Sequence, residues 1–223
     1  MRKTNTTKAA YLAFAMIVAF LMILSGCQST NNEVASIYLH LEKAAKMESS
    51  LGNQQKELAG LLKKEQEIYT NMLSVSINSK QMDDMLTNAT DLIKKREEIL
   101  EKEKASYQQA YKEVSKINRF IPKLDDKKLQ QKVEKVAEAM NNRYKTYKKI
   151  FHATEENIKS NQAIYTLLLQ KNVHIKKYEK QIKIMNKQSK EITDLQTKFN
   201  HYTNIYNDEK INLYKAGKLN WKS

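Results

Sequence analysis

Reversing the direction of a chain calls for residues that accept unusual backbone angles, and this sequence has almost none of them. Its four glycines and single proline leave only Gly52, Gly60, Gly217 and Pro122 for the 196 residues from Gln28 to Ser223. A sheet protein would need a turn about every 8 to 12 residues, built on Gly, Pro, Asn or Asp. The chain is therefore expected to be all-α, with few and long helices.

Apolar residues recur at three- and four-residue steps, the spacing of one helix face. A first stripe runs through Val34, Tyr38, Leu41, Ala45, Leu51, Leu58, Leu62, Tyr69 and Met72, which predicts a helix from Asn32 to Leu73 with a bend near Gly52 and Gly60. Ser74 to Gln81 lacks the pattern and reads as a turn, after which Asp83 or Asp84 restarts the helix. A second stripe passes through Met85, Ala89, Leu92, Arg96, Ile99, Glu103, Tyr107, Ala110, Val114 and Ile117 to Ile121. Pro122 disfavours helical angles in the residue before it and ends this run, with Asp125 capping the next element. A third stripe, Leu129, Val133, Val136, Met140, Tyr144, Tyr147, Phe151, Ile158, Tyr165 and Leu168, fades at Asn172. Asn172 would cap a fourth helix carrying Ile175, Tyr178, Ile182, Met185, Ile192, Leu195, Phe199, Tyr202, Tyr206 and Leu213, closed by Gly217.

Short connections force successive long helices to run antiparallel. The expected architecture is an elongated antiparallel bundle of three to four helices with coiled-coil-like packing, and spacing alone does not decide whether the fourth packs in the bundle or docks more loosely.

The first 27 residues have a different character. Arg2, Lys3 and Lys8 precede an apolar run from Ala9 to Ile23, which is followed by Leu24-Ser25-Gly26-Cys27. A basic start, a short apolar segment and small residues ahead of a cleavage point describe an export signal. The run is shorter than the ~20 residues that span a bilayer. Placed before the chain's one cysteine, the pattern is that of a bacterial lipoprotein: cleavage after Gly26, a diacylglycerol on the Cys27 thiol and a further acyl group, such as palmitate, on the new amino terminus. With one cysteine no intrachain disulfide can form. The expected organisation is a signal peptide at 1–26, a lipidated tether at 27–31, the bundle at 32–217 and a tail at 218–223. The protein would then sit on the extracytoplasmic face of the cell membrane.

The formal net charge is +14, and removal of the signal's three basic residues leaves 36 basic against 25 acidic. The excess is uneven: 14 of each sign from Gln28 to Ile121, 10 basic against 6 acidic from Pro122 to Gln170, and 12 against 5 from Lys171 to Ser223. Such asymmetry points to an anionic partner. Outside the cell that means lipid head groups or anionic wall polymers rather than nucleic acid. Lys176, Lys177, Lys180 and Lys183 are the candidate contacts.

Chemistry-bearing motifs are missing. His40, His152, His174 and His201 lack a second ligand at metal spacing, and there is no Gly-rich phosphate loop, G-x-S-x-G or H-E-x-x-H. The carboxylate pairs Glu97-Glu98, Asp125-Asp126 and Glu155-Glu156 point in different directions on a helix, which suits capping or solvation better than acid-base work on glycans. No catalytic residue, metal or cofactor is assigned. The tyrosines Tyr144, Tyr147, Tyr165, Tyr178, Tyr202, Tyr206 and Tyr214 fall mostly on the apolar stripe and suit a core edge.

The lipobox cysteine followed by Ile37-Tyr38, Leu41-Glu42-Lys43-Ala44-Ala45, Gln54-Gln55, Lys63-Lys64-Glu65-Gln66-Glu67-Ile68-Tyr69 and Arg96-Glu97-Glu98-Ile99 resembles the YkyA-like cell-wall-binding lipoproteins of Gram-positive bacteria. The resemblance implies a membrane-anchored, extracytoplasmic helical protein with a wall-binding role and no catalytic residues, and it transfers Cys27 alone as a functional position. The leading expectation is a lipoprotein whose basic helical surface touches anionic wall polymers or peptidoglycan. The alternative is an envelope scaffold that docks a partner protein through a helix seam, and a peptidoglycan hydrolase ranks last.

Overall fold

The computed structural model describes residues 32–170 and 175–218. The expected signal peptide, its Leu24-Ser25-Gly26 cleavage residues, Cys27, the Asn172 cap and the tail beyond Lys218 lie outside the described residues. Within them the fold is all-α: α1 (residues 32–48), α2 (Leu51–Met72), α3 (Lys80–Ser115), a 3₁₀ segment (Lys116–Lys123), α4 (Lys127–Leu168) and α5 (Ile175–Ala216). At 1.5 Å per residue, α4 and α5, with 42 residues each, are about 63 Å long. The order is antiparallel, with α3 packed on α2, α4 on α3 and α5 on α4. α1 and α2 follow one another along a single edge, so the bundle has four rods.

The interruption in the first rod falls at Ser49-Ser50 and not at the glycines. The Ser49 hydroxyl donates to the Lys46 carbonyl at 2.8 Å and its N–H reaches the same oxygen at 3.3 Å. Ser49 thus takes over a carbonyl that the helix ladder would use. Gly52 and Gly60 lie inside α2. The turn after α2 is shorter than expected: α3 starts at Lys80, capped by the Ser79 hydroxyl accepting from the Met82 N–H at 3.2 Å, while Asp83 sits in the first turn and Asp84 follows it. At the far end α3 tightens into the 3₁₀ segment six residues before Pro122 and continues one residue past it. The three-residue period keeps Ile117 and Phe120 both on the core. The cap of α4 is Asp126, accepting from Lys128 and Leu129 N–H at 2.7 and 3.3 Å, rather than Asp125. After α5, Gly217 donates to the Leu213 carbonyl at 2.9 Å, and the left-handed residue is Lys218, with φ 53°.

Two apolar clusters fill the bundle. One joins Val34, Ile37 and Leu41 to Val114, Ile117, Val133 and Leu213 at the end where α1 begins. The other joins Leu51, Met82, Leu86 and Ile93 to Phe151, Ile158 and Ile164 toward the α2–α3 turn. α4 supplies the most buried positions because it has neighbours on several sides. α5 buries only Phe199, Tyr206, Leu213 and Tyr214, all in its second half. Its first half rests on the bundle through half-buried Tyr178, Ile182 and Met185, so of the two arrangements left open for this helix, packed or loosely docked, the second half takes the first and the first half the second.

Candidate functional site

The four lysines singled out by sequence, Lys176, Lys177, Lys180 and Lys183, are all exposed on the first half of α5. At 3.6 residues per turn, Lys176, Lys180 and Lys183 share one face, while Lys177 stands about 100° around from it. Lys187 and Lys190, exposed as well, extend the same row through steps of four, three, four and three residues. Five ammonium groups therefore line about 21 Å of helix, and Asp194 occupies the next position of the row. Their signal was the same heptad-like spacing that marks an apolar seam, here written in lysine on the opposite side of the helix from Tyr178, Ile182 and Met185.

Like charges three and four residues apart repel and cost a helix a few tenths of a kcal/mol per pair. The ion pairs made by described lysines use Lys94, Lys104, Lys116, Lys159 and Lys210, none of these five. The row therefore stands as a line of exposed positive charge on that face of α5.

Other polar groups are occupied in the fold. His40 is buried and hydrogen-bonds Glu113 through Nδ1 at 2.7 Å, with Arg119 3.1 Å from its other ring nitrogen. Lys116 also donates to Glu113. The Lys116 bond, and secondarily His40, holds the Glu113 carboxyl below the usual carboxylate range. His152 and His201 are exposed, His174 lies outside the described residues, and no group of three metal-ligating side chains occurs among the described residues. The carboxylate pairs each do local work: Asp126 caps α4, Glu156 holds Lys159 at 2.8 Å, and Glu97 accepts from Gln162 at 3.2 Å. Of the tyrosines in the basic half, Tyr147, Tyr165, Tyr206 and Tyr214 are buried, and burial pushes their phenols up, out of reach of neutral-pH titration.

Sequence reading placed Arg96 and Glu103 on an apolar stripe, and both are buried. Burial raises the Glu103 carboxyl, partly offset by a hydrogen bond from Gln55. Arg96 reaches across to Glu65 of α2, which also accepts from the Tyr165 hydroxyl at 3.0 Å. At the α2–α3 end of the bundle, Leu73, Leu169 and Ile175 are 70%, 59% and 70% exposed, which leaves an apolar tip. Among the described residues no helix is long and apolar enough to cross a membrane.

Residues 32–216 match the model of the YkyA family, described as "Putative cell-wall binding lipoprotein". The chain is also 27% identical over 199 residues to the uncharacterized lipoprotein YkyA of Bacillus subtilis (strain 168), covering 89% of each. No solved structure matches.

Proposed function

The chain belongs to the YkyA family, and from that premise we propose that it is held at the outer face of the membrane by lipid on Cys27 and binds anionic wall polymers through the lysine row of α5. The observation that carries this reading is the row itself: Lys176, Lys180, Lys183, Lys187 and Lys190 on one exposed face, unused by the ion pairs of the fold. The proposed tether at 27–31 would reach at most about 18 Å when extended, which starts the bundle close to the lipid head groups. Two or three acyl chains, at about 0.8 kcal/mol per buried CH₂, anchor far more firmly than one. No residue is assigned a catalytic role.

Exposed charges are screened beyond about 10 Å at 0.1 M salt, so binding of this kind weakens as salt rises. The test is retention of the purified mature domain on isolated cell walls, intact or stripped of anionic polymers. Strong retention on intact walls at low salt, lost on stripped walls, supports the proposal. Equal retention on both overturns it.

A second reading rests on the apolar tip. Leu73, Leu169 and Ile175 would seat a partner protein in the envelope, and that complex would survive both salt and loss of the lysines.

A further inference from the structure

A four-helix bundle gains by filling its interior with apolar side chains, yet between α2, α3, α4 and the first half of α5 this one gathers Glu65, Arg96, Asn157, Asn161 and Tyr165, each at least 91% buried. They line a groove of about 380 Å³, within the range of sites for small ligands.

The polar groups there are incompletely satisfied. Arg96 Nε is buried with no hydrogen-bond partner, although Arg96 lines the groove and its Nη1 is committed to Glu65. The Asn157 amide reaches the Met185 carbonyl at 3.5 Å and the Ser189 hydroxyl at 3.4 Å, and Asn161 reaches Asn157 at 3.4 Å. These are longer than ordinary N–H···O bonds of 2.7–3.2 Å. A buried donor left unpaired forfeits its hydration with nothing in return, and an acceptor entering the groove would recover that.

We propose that this groove binds an uncharged glycan segment carrying an N-acetylamino sugar. Glu65 and Arg96 already neutralise each other, so the site has no net charge to attract an anion, and a free carboxylate or phosphate would meet Glu65. The unmet capacity consists of donors on Arg96 and the asparagine amides together with spare lone pairs on Glu65. An acetamido carbonyl and ring hydroxyls answer these two needs. Leu62, Ile182 and Met185 form an apolar wall for the acetyl methyl and the sugar face. The α5 side can yield to a ligand, because that helix has no buried residue before Phe199. The choice of glycan rests on the wall-binding reading, whereas the site's neutrality makes its salt behaviour the opposite of that of the lysine row.

The test is titration of the mature domain with soluble N-acetylglucosamine oligomers, followed by calorimetry and by side-chain nitrogen NMR. Saturable binding, unchanged between low and high salt, with shifts at Arg96 Nε and the Asn157 and Asn161 amides, is expected. Asn161→Ala should weaken it at least tenfold. Because that change also touches buried structure, Leu62→Trp serves as the second variant: it fills the rim from an exposed position, leaves the melting temperature near wild type and should block the oligomer. A variant with the five α5 lysines replaced by glutamine should bind the oligomer normally. No saturable binding, binding without shifts at these three residues, or binding that disappears with the lysines overturns the inference. Loss of wall retention in the lysine variant concerns only the wall-polymer proposal.

Discussion

Removing the Arg143 side chain should be among the most damaging single changes in this bundle. Arg143 is 5% exposed and holds both oxygens of Glu48 at 2.6 and 2.7 Å, while its Nε donates to Thr203 at 3.0 Å. Its guanidinium carbon lies 5.2, 5.2 and 5.6 Å from the ring centres of Tyr107, Phe199 and Tyr206. One side chain thus ties the α1–α2 break to α4 and to the well-packed half of α5. Burial opposes its charge, but the Glu48 bonds outweigh that and keep its pKa above the ordinary arginine value. Removing one partner of a buried pair costs about 3–5 kcal/mol, because the other charge is left uncompensated. The Glu48 side chain is 18% exposed, so partial hydration places its share near the lower bound, and the cation–π contacts add about 0.5–1 kcal/mol each with overlap. Arg143→Ala should therefore lose about 4 kcal/mol in urea unfolding followed by far-ultraviolet circular dichroism, with an unchanged m value. Replacing Arg143 and Glu48 together by leucine should fall within about 1 kcal/mol of wild type, since an apolar pair forfeits no solvation. A loss under about 1 kcal/mol for the single variant, or a double variant as unstable as the single, would refute the reasoning.

Three further outcomes are expected. Gly60→Ala, inside α2 where an added Cβ meets nothing within 4 Å, should raise stability by about 0.5–1 kcal/mol in the same assay. The Glu103 carboxyl is raised by burial, so the stability it contributes is complete below its unfolded pKa and is lost as pH climbs through the folded value. Glu103→Gln should accordingly raise the melting temperature at neutral pH, with the gain vanishing in acid. Glu113 has the opposite sign: its folded pKa is depressed, its stability is present above the unfolded value and lost as pH falls through the folded one, and Glu113→Gln should flatten that acid limb in a pH series of melting temperatures.

The sequence was most readable where a helix has neighbours on several sides. In α4, Leu129, Val133, Val136, Met140, Tyr147, Phe151, Ile158 and Tyr165 were expected inside and are buried, with Tyr144 and Leu168 half-buried at the seam. In the first rod Val34, Leu41, Leu51 and Met72 are buried as expected, but at three positions the face is off by one residue. Ile37, Ala44 and Leu61 are buried, while Tyr38 is half-buried and Ala45 and Leu62 are exposed. Adjacent apolar pairs at 37–38, 44–45 and 61–62 support two faces about 100° apart, and only the partner helix selects between them. The stripe of α5 from Ile175 to Leu195 was legible as a pattern but not as depth, because that half lies mainly against one helix. Of the lysine row, Lys176, Lys180 and Lys183 were named from sequence, whereas Lys187 and Lys190 were missed and Lys177 points elsewhere, because proximity in sequence was followed rather than the helix period. The polar groove could not be read: Glu65, Arg96 and Asn157 come from three helices, and no local spacing links them.

Lysines that act as a charged surface make wall binding depend on salt. Dissociation constants for isolated walls should be determined across a salt series for the mature domain and for its variant with Lys176, Lys180, Lys183, Lys187 and Lys190 replaced by glutamine. Steep weakening with salt is expected for the wild type, and weaker, nearly salt-independent binding for the variant. Two superimposable salt curves would contradict it.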